Sequence, residues 1–501
     1  MVNSSIGGSG LTARELAEFI NAEVRGDGSI QISGVSHDSS SIQPGDLFAA
    51  LPGRKTHGSH FVESAIAQGA SSVLTDLLGA ERCQQLCERH QLALLVVDSP
   101  RKSLGAVCSR VYGQPPMKLV GITGTNGKTT TAYMVMQGAR EIGLTTGMIG
   151  TLATYIGDSE LESARTTPEA PEIFKLLLRM YEKGCELVVM EVSSIAIAEH
   201  RIDGLLFDVV GFTNLSHDHL DYHGTMDSYF DAKCELFTPD HAIKGVACID
   251  DLWGRALMKC ASIPMQSASI VFEALNRAEP ADWFGIRESP NLLEIHDPSG
   301  ERYTCPIQSP GAANAANALM AIALLGNLGY SVPTINKGVC ESSVPGRGEL
   351  VCTHNEVPIY VDYAHSPAAI ESFLSGLREQ APGRLIVVIG AGGDRDGSKR
   401  GTMGEVAAQL AHTVIVTDDN PRSEDPSVIR QAIVEGALKF PDTHIENIAG
   451  RREAIKRAIE IAMPGDRIAI LGKGHESTIE IMGKTIPFKD SEVVLELVRR
   501  V

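Results

Sequence analysis

Short apolar runs recur along the chain, and most end abruptly at glycine or charge. "VPIYVDYA", "RLIVVIGAGG", "HTVIVTDDNP" and "DRIAILGKGHE" share this form toward the C-terminal end. A run that is apolar on both faces predicts a buried parallel strand. "GCELVVMEVSS" and "FDVVGFTNLS" predict two more in the middle of the chain. Nearer the start, "IQISGVSHDS", "GDLFAAL", "SSVLTD" and "LALLVVD" predict strands around a helix at "FVESAIAQG". Thr12 and Glu15 have the spacing of a capping box ahead of the helix in "LTARELAEFINAEV". "PEAPEIFKLLLRMYEKG" and "NAANALMAIALLGNLG" predict further helices. Strands alternating with helices imply an α/β protein with mostly parallel, covered sheets.

A chain of 501 residues suggests three domains. The turn-forming "GQPP" at 113–116 separates a small N-terminal α/β domain, 1–112, from a central parallel-sheet domain, 113–344. A Rossmann-like domain, 345–501, follows. Acidic residues outnumber basic ones 62 to 44, which argues against nucleic acid or an anionic membrane as the main partner. Any anion must be held locally. Ten cysteines include no CxxC pair, and Cys83 and Cys87 read as a chance spacing on a helix. Free thiols fit a reducing cytoplasm. The polar start predicts no signal peptide, and no apolar run is long enough to insert in a membrane.

The chemistry begins at "GITGTNGKTTT", between a strand and a helix. Glycines let backbone amides curl around phosphate, and the helix N-terminus favours the anion. Lys128 can neutralise phosphate and Thr129 can ligate Mg²⁺. Gly121 stands one place too early for the standard GxxxxGK[ST] form. "VVMEVSS" sets Glu191 at a strand end, where a second magnesium ligand would be needed. "TNLSHDHLDYHG" crowds Asn214, His217, Asp218, His219, Asp221 and His223 into one loop, compatible with zinc or with Mg²⁺ or Mn²⁺. Lys233 follows on a helix, where a lysine is costly unless paired, modified or snorkelling to solvent. Asp418-Asp419-Asn420-Pro421-Arg422 puts both signs of charge where a strand must stop.

"GTNGKTT", "EVSS", "TNLSHDHLDYHGTMDSYFDAK", "VPGRGE", "DYAHSP" and "GAGGDRDGSKR" occur in the order found in the Mur ligase family, which the chain resembles over nearly its whole length. "DNPR" and "GKGHE" narrow the resemblance to the member that adds meso-diaminopimelate as the third residue of the peptidoglycan stem peptide. The resemblance implies an N-terminal domain for the UDP end, a central P-loop ATPase-like domain and a C-terminal amino-acid domain that closes over the site. It implies ATP and Mg²⁺, with Lys233 carrying a carbon-dioxide-derived carbamate and sharing the metal with Thr129, Glu191 and His219. Lys128 and these groups form the implied catalytic set. ATP contacts are implied at Gly124, Thr125, Asn126, Gly127, Lys128, Thr129, Thr130, Asn317, Arg347, Asp362 and His365. Ser39, Thr166, Thr167, Ser193, Glu199 and Arg201 match contacts to the UDP-muramoyl dipeptide. Arg395, Asp419, Asn420, Pro421, Arg422, Gly472 and Glu476 match the diaminopimelate pocket.

The expected reaction is an acyl-phosphate amide ligation by a cytoplasmic monomer. In the pocket, Arg422 is expected to clamp the far carboxylate of the amino acid, while Asp419 and Asn420 accept from its far ammonium. The chain departs from the family at Ile195 and Glu199 in "EVSSIAIAEHR", at His57 in "GRKTHG", and in "DSS", which lacks the basic residue often found after Asp-Ser. A carboxylate at 199 would repel an anionic substrate unless protonated or turned away. The alternatives are a lysine-adding ligase of the same family, a folylpolyglutamate synthetase, a small-molecule kinase and an inactive nucleotide-binding scaffold.

Overall fold

The computed structural model describes residues 11–53, 55–163, 165–271, 281–289, 291–308, 311–379 and 383–499. The polar start at 1–10 and Arg54 within "GRKTHG" lie outside the described residues. The chain divides into two compact units, one of residues 1–267 with 324–330 and one of residues 268–323 with 331–501.

Besides the short pair Leu11–Thr12 with Gln31–Ile32, the first unit holds two larger sheets among the described residues. The smaller has the order Glu23–Arg25, Ala93–Val96, Ser72–Thr75, Asp46–Ala49, Gly34–Ser36, parallel except for the first strand. The capping box forms as expected: Glu15 N–H donates to Thr12 Oγ1 at 3.2 Å and Thr12 N–H to Glu15 Oε2 at 2.8 Å, opening the helix Ala13–Ile20. The "GQPP" segment is anchored, because Gln114 exchanges two hydrogen bonds with the Leu206 backbone at 2.8 and 2.9 Å.

The larger sheet of this unit runs Ser159–Leu161, Thr154–Ile156, Thr146–Ile149, Leu187–Glu191, Lys118–Thr123, Val209–Phe212, Gly245–Cys248. The last five are parallel. This order sets Lys118–Thr123 between the strand ending at Glu191 and the strand leading to Asn214, so three loops converge past their carboxyl ends.

The second unit contains the sheet Glu349–His354, Val357–Asp362, Arg467–Leu471, Leu385–Ile389, Thr413–Val416, His444–Asn447, parallel apart from its first strand. Its strands are apolar on both faces for a visible reason. Leu385, Val387 and Ile389 pack with helices Pro367–Arg378, Lys399–Leu410 and Pro426–Ala437, while Ile386 and Val388 pack with Arg451–Ile461 and Asp490–Val498. A period of two with helices on both sides produces the continuous runs read from the sequence. This unit also carries antiparallel strands Trp283–Ser289, Leu292–His296 and Arg302–Pro306, and a hairpin, Thr478–Ile481 with Lys484–Pro487. The hairpin turns through Met482 and Gly483, both at positive φ (49° and 72°), the backbone of a tight primed turn. Among the described residues, no helix is long and apolar enough to cross a membrane.

Candidate active site

Strand Lys118–Thr123 delivers the loop Gly124–Gly127 to helix Lys128–Glu141. At Gly124, φ is 147° and a β-carbon would stand 1.9 Å from Thr213 Oγ1, so only glycine fits. The loop is held from outside by the segment Thr213–Ser216. Asn126 N–H donates to Asn214 Oδ1 at 3.0 Å, Thr125 N–H to Asn214 O at 2.8 Å, and Thr213 Oγ1 to Asn126 O at 2.6 Å. Ser216 N–H donates to Thr125 Oγ1 at 3.0 Å, which also meets the Tyr229 hydroxyl at 3.1 Å. Of this frame the motif reading singled out only Asn214. Tyr229 is buried and carries no local signal of its role.

Two lysines converge here. Lys128 Nζ donates to Gly124 O at 2.9 Å and Thr125 O at 2.8 Å, and Lys233 Nζ donates to the same Gly124 O at 3.0 Å. Lys233 is 1 % exposed, which rules out the snorkelling reading, and its Nζ lies 4.7 Å over the Tyr229 ring. Burial, and next the charge of Lys128, holds its ammonium pKa well below the ordinary lysine value. The site thus holds a deeply buried amine whose charged form is disfavoured by burial.

Glu191, fully buried, ends its strand with three donors. Thr129 Oγ1 reaches its Oε2 at 2.8 Å, and Thr151 reaches Oε1 by its N–H at 2.7 Å and Oε2 by its hydroxyl at 3.2 Å. Gly150 leaves room for this carboxylate, since a β-carbon there would lie 2.3 Å from Glu191 Oε1. Thr130 is buried one residue along the helix.

His219 sits at φ 53° just before Leu220–His223, 6.1 Å from the Tyr229 ring. Burial lowers its imidazole pKa, and Lys128 and Lys233 push the same way against Asp218. His223 turns to Ser194 Oγ at 2.9 Å and stacks on Tyr229. Among the described residues no three His, Cys, Asp or Glu side chains are grouped to hold a metal, so the side chains of the crowded "HDHLDYH" loop are not drawn together as one ligand set. What the loop and strand ends offer is a hydroxyl and a carboxylate at the start of a phosphate-binding helix. Those hard oxygen donors suit Mg²⁺ shared with phosphate oxygens.

Four of the expected acceptor contacts gather beside Glu191. Thr167 Oγ1 donates to Glu191 O at 2.8 Å and accepts from Ser193 N–H at 3.0 Å, Arg201 Nη1 donates to Thr167 O at 3.2 Å, and Thr166 Oγ1 meets Thr151 Oγ1 at 2.9 Å. Ser39 lies apart, on the turn Ser39–Ser41 of the smaller sheet. The charge at Glu199 is accounted for: Arg101 Nε lies 3.3 Å from one of its oxygens, and the Tyr222 hydroxyl donates to the other at 2.8 Å. Arg101 also pairs with Glu169, which takes Arg165 and Arg201 as well. His57 serves its own domain, accepting from Ser59 N–H at 3.0 Å and meeting Asp76 at 3.1 Å. Ile195 is half-buried on the short helix Ser194–Ala198.

In the second unit, Arg347, Asp362 and His365 meet around Tyr363. The Arg347 guanidinium lies 4.1 Å over that ring, with a buried Nε that has no hydrogen-bond partner. Asp362 accepts from Gly348 N–H at 2.6 Å and Ala364 N–H at 2.7 Å, and burial raises its carboxyl pKa. His365 Nδ1 donates to Tyr363 O at 2.9 Å. Asn317 is buried on helix Ala312–Asn327.

The charged strand-end loops of this unit also come together. Strand Thr413–Val416 is buried and parallel to both neighbours, as expected, and the loop after it packs on those after Leu385–Ile389 and Arg467–Leu471. Arg422 adopts φ 51°, an uncommon conformation for arginine. The hairpin holds it there: Arg422 N–H donates to Glu480 O at 3.0 Å and Met482 N–H to Arg422 O at 2.7 Å. Its Nη1 donates to Gly393 O at 2.7 Å and its Nε lies 3.2 Å from Glu480 Oε2. Pro421 carries the turn, its carbonyl sitting where a β-carbon on Gly393 would come within 2.0 Å.

The hydrogen bonds already made here bear on the expected roles of Asn420 and Asp419. Asn420 Oδ1 already accepts from Glu480 N–H at 3.0 Å, and its Nδ2 donates to Glu476 Oε2 at 2.8 Å. The group Asn420 has left is an N–H, which suits a carboxylate and not an ammonium. Asp419 is 6 % exposed behind Gly472, whose β-carbon would lie 2.5 Å from Asp419 Oδ2. Burial raises the Asp419 carboxyl pKa, opposed by Arg451 and Lys473. The acceptor with an oxygen to spare is Glu476, half-buried. Arg395 is exposed at the rim. Asp418 belongs to the scaffold, paired with Arg430 and accepting from Gly450 N–H at 2.7 Å.

Three family models match the chain: "Mur ligase family, catalytic domain" at residues 31–112, "Mur ligase middle domain" at 122–325 and "Mur ligase, glutamate ligase domain" at 346–474. The UDP-N-acetylmuramoyl-L-alanyl-D-glutamate–2,6-diaminopimelate ligase of Streptomyces coelicolor is 42 % identical, over 95 % of this chain and 94 % of that one. The protein of the same name from Corynebacterium glutamicum is also 42 % identical, over 92 % and 91 %. The UDP-N-acetylmuramyl-tripeptide synthetase of Leifsonia xyli is 38 % identical, over 95 % and 94 %. A solved UDP-N-acetylmuramoyl-L-alanyl-D-glutamate–2,6-diaminopimelate ligase superposes with TM-score 0.69 at 27 % identity, covering 98 % of this chain and 99 % of that one. The MurF ligase from Thermotoga maritima in complex with ADP shares the fold, with TM-score 0.60 at 18 % identity over 93 % and 97 %.

Proposed function

The chain belongs to the Mur ligase family, and we propose that it adds meso-diaminopimelate to UDP-N-acetylmuramoyl-L-alanyl-D-glutamate at the expense of ATP. This is a step of peptidoglycan precursor synthesis, and we assign it to a cytoplasmic monomer. Residues 1–112 take the UDP-muramoyl end, with Ser39 toward the uridine. Residues 113–344 take ATP and residues 345–501 the amino acid.

The observation that carries the reading is the strand-end pocket. Meso-diaminopimelate has an amine and a carboxylate at each end, so a selective site must hold the far zwitterion as well as the reacting amine. Arg422, fixed by the hairpin and Gly393, and the remaining N–H of Asn420 suit the far carboxylate. The part-exposed Glu476 suits the far ammonium, with Gly472 and Asp419 forming the wall behind it and Arg395 the rim. Lysine has no far carboxylate and would leave the Arg422 guanidinium with only Glu480 and the Gly393 carbonyl.

The γ-carboxylate of the D-glutamyl residue attacks the γ-phosphorus of ATP, the bond to the bridging oxygen breaks, and ADP leaves. The diaminopimelate amine then attacks the acyl phosphate, the tetrahedral adduct loses phosphate and a proton, and the amide remains. Such transfer depends on positioning and charge neutralisation. The amides of the loop Gly124–Gly127 and Lys128 orient the triphosphate, while Thr166, Thr167, Ser193 and Arg201 orient the acceptor, with Glu199 holding Arg101. Arg347, Asp362, His365 and Asn317 complete the nucleotide contacts. Thr129, Glu191, His219 and Lys233 would hold Mg²⁺, which when bound neutralises charge on the phosphoryl oxygens. We assign Lys233 a carbamate. Its buried amine, uncharged for the attack, adds to carbon dioxide: the N–C bond forms, one C–O π bond opens, a proton leaves, and the side chain becomes an anionic oxygen ligand.

The test is an assay with the UDP-muramoyl dipeptide, ATP and Mg²⁺, comparing meso-diaminopimelate with L-lysine. Amide formation with diaminopimelate, and little with lysine, is expected. Preferential use of lysine would overturn the specificity, and use of neither would overturn the function.

A further inference from the structure

We propose that Lys473 is a positioning residue for amino-acid recognition, acting through Glu476. This rests on the assignment of the strand-end pocket to the amino acid. Lys473 lies in "GKGHE" between Gly472 and Gly474, whose positive φ values of 109° and 53° turn it inward. Neither glycine can be replaced without a clash: a β-carbon would meet Asp419 Oδ2 at 2.5 Å or Gly346 O at 2.6 Å. The backbone there is shaped to bury a cation, and Lys473 is 0 % exposed.

A buried ammonium is tolerated only when its hydrogen bonds are answered. Lys473 Nζ donates to Thr478 O at 2.6 Å and Glu476 Oε2 at 3.0 Å, lies 3.4 Å from Asn420 Oδ1, and is 3.8 Å from Asp419 Oδ1. The second donor to Glu476 Oε2 is Asn420 Nδ2 at 2.8 Å. Both protein donors therefore occupy one oxygen of Glu476. Among the described contacts Oε1 takes none, and the Glu476 side chain is 32 % exposed. A carboxylate pinned by one oxygen from behind presents the other outward in a fixed direction. That arrangement recognises an ammonium without first ordering a flexible side chain. The same lysine ties the start of the hairpin that holds Arg422, so it links the anionic and cationic halves of the pocket.

The experiment is a double-mutant cycle on the full chain, with KM for meso-diaminopimelate and for ATP measured in wild type, Lys473→Met, Glu476→Gln and the double variant. Each single variant is expected to raise the diaminopimelate KM about 10-fold or more and to leave the ATP KM within about 2-fold. The double variant should be no more than about 3-fold worse than the worse single one, because the lysine acts through the carboxylate. Multiplying effects, or an unchanged diaminopimelate KM in Lys473→Met, would overturn the proposal. Failure of both Lys473→Met and Lys473→Gln to fold would make the lysine a fold-holding ion and overturn it equally. Wild type inactive with diaminopimelate would instead sink the proposed function.

Discussion

The phosphate loop of the first unit and the charged pocket of the second both lie past the carboxyl ends of parallel strands, where open α/β sheets bind ligands. They handle charge in opposite ways. Around Gly124–Gly127 the supports are neutral, namely Thr213, Asn214, Ser216 and Tyr229, and two lysines lean on a single carbonyl oxygen. Around Asn420 and Arg422 three cations each meet an acid of the protein: Lys473 with Glu476, Arg422 with Glu480, Arg400 with Glu424. A frame of neutral hydroxyls and an amide brings the lysines to the glycine-rich turn without adding charge of its own. A site whose charges are already paired and oriented can select a zwitterion, since it discriminates by direction more than by net charge.

That contrast breaks most severely at Lys233. Lys233→Ala should lower kcat on the order of 10²–10³-fold, the scale of losing one oriented charge-stabilising group. Added acetate or formate should restore part of it in steady-state assays. No loss would remove Lys233 from the catalytic set. Arg422→Ala comes next. It should raise the diaminopimelate KM by about 10- to 100-fold, as expected when a charged hydrogen-bonding partner is removed. The ATP KM should stay nearly constant; if both constants rise together, the two sites are not separable in this way.

The smallest effect concerns the supporting loop. Glu424 bonds Arg400 at 2.8 and 2.9 Å and accepts from Asp394 N–H at 2.6 Å, which holds its carboxyl pKa down to about 2 from 4.5. A depressed carboxyl pKa stabilises the fold above the unfolded value, and that contribution fades as pH falls toward the folded one. The melting temperature of Glu424→Gln should therefore lie slightly below wild type at pH 6 and converge with it between about pH 4.5 and 2. A constant gap across that range would mean the ion pair contributes nothing through titration.

Local sequence was enough for the buried parallel strands, since an apolar run covered on both faces has one stable environment, and for Lys128, Thr129 and Glu191 near their ends, but not for the antiparallel strands Trp283–Ser289, Leu292–His296 and Arg302–Pro306 or the hairpin Thr478–Ile481 with Lys484–Pro487. It also carried the capping box at Thr12, because such signals act over a few residues. Tertiary structure decided what meets what. Thr129 and Glu191 are 62 residues apart, Asn126 and Asn214 are 88 apart, and each pair meets only because of the order of strands in the sheet. The same holds for the pairing of Glu199 with Arg101, for Asn420 turning its oxygen inward, and for the hairpin that fixes Arg422 in a left-handed backbone. Lys233 and Lys473 make the limit plain. Local pattern leaves each free to reach solvent, whereas the packed sheet and its loops bury both, and burial gives a lysine a chemical or orienting role.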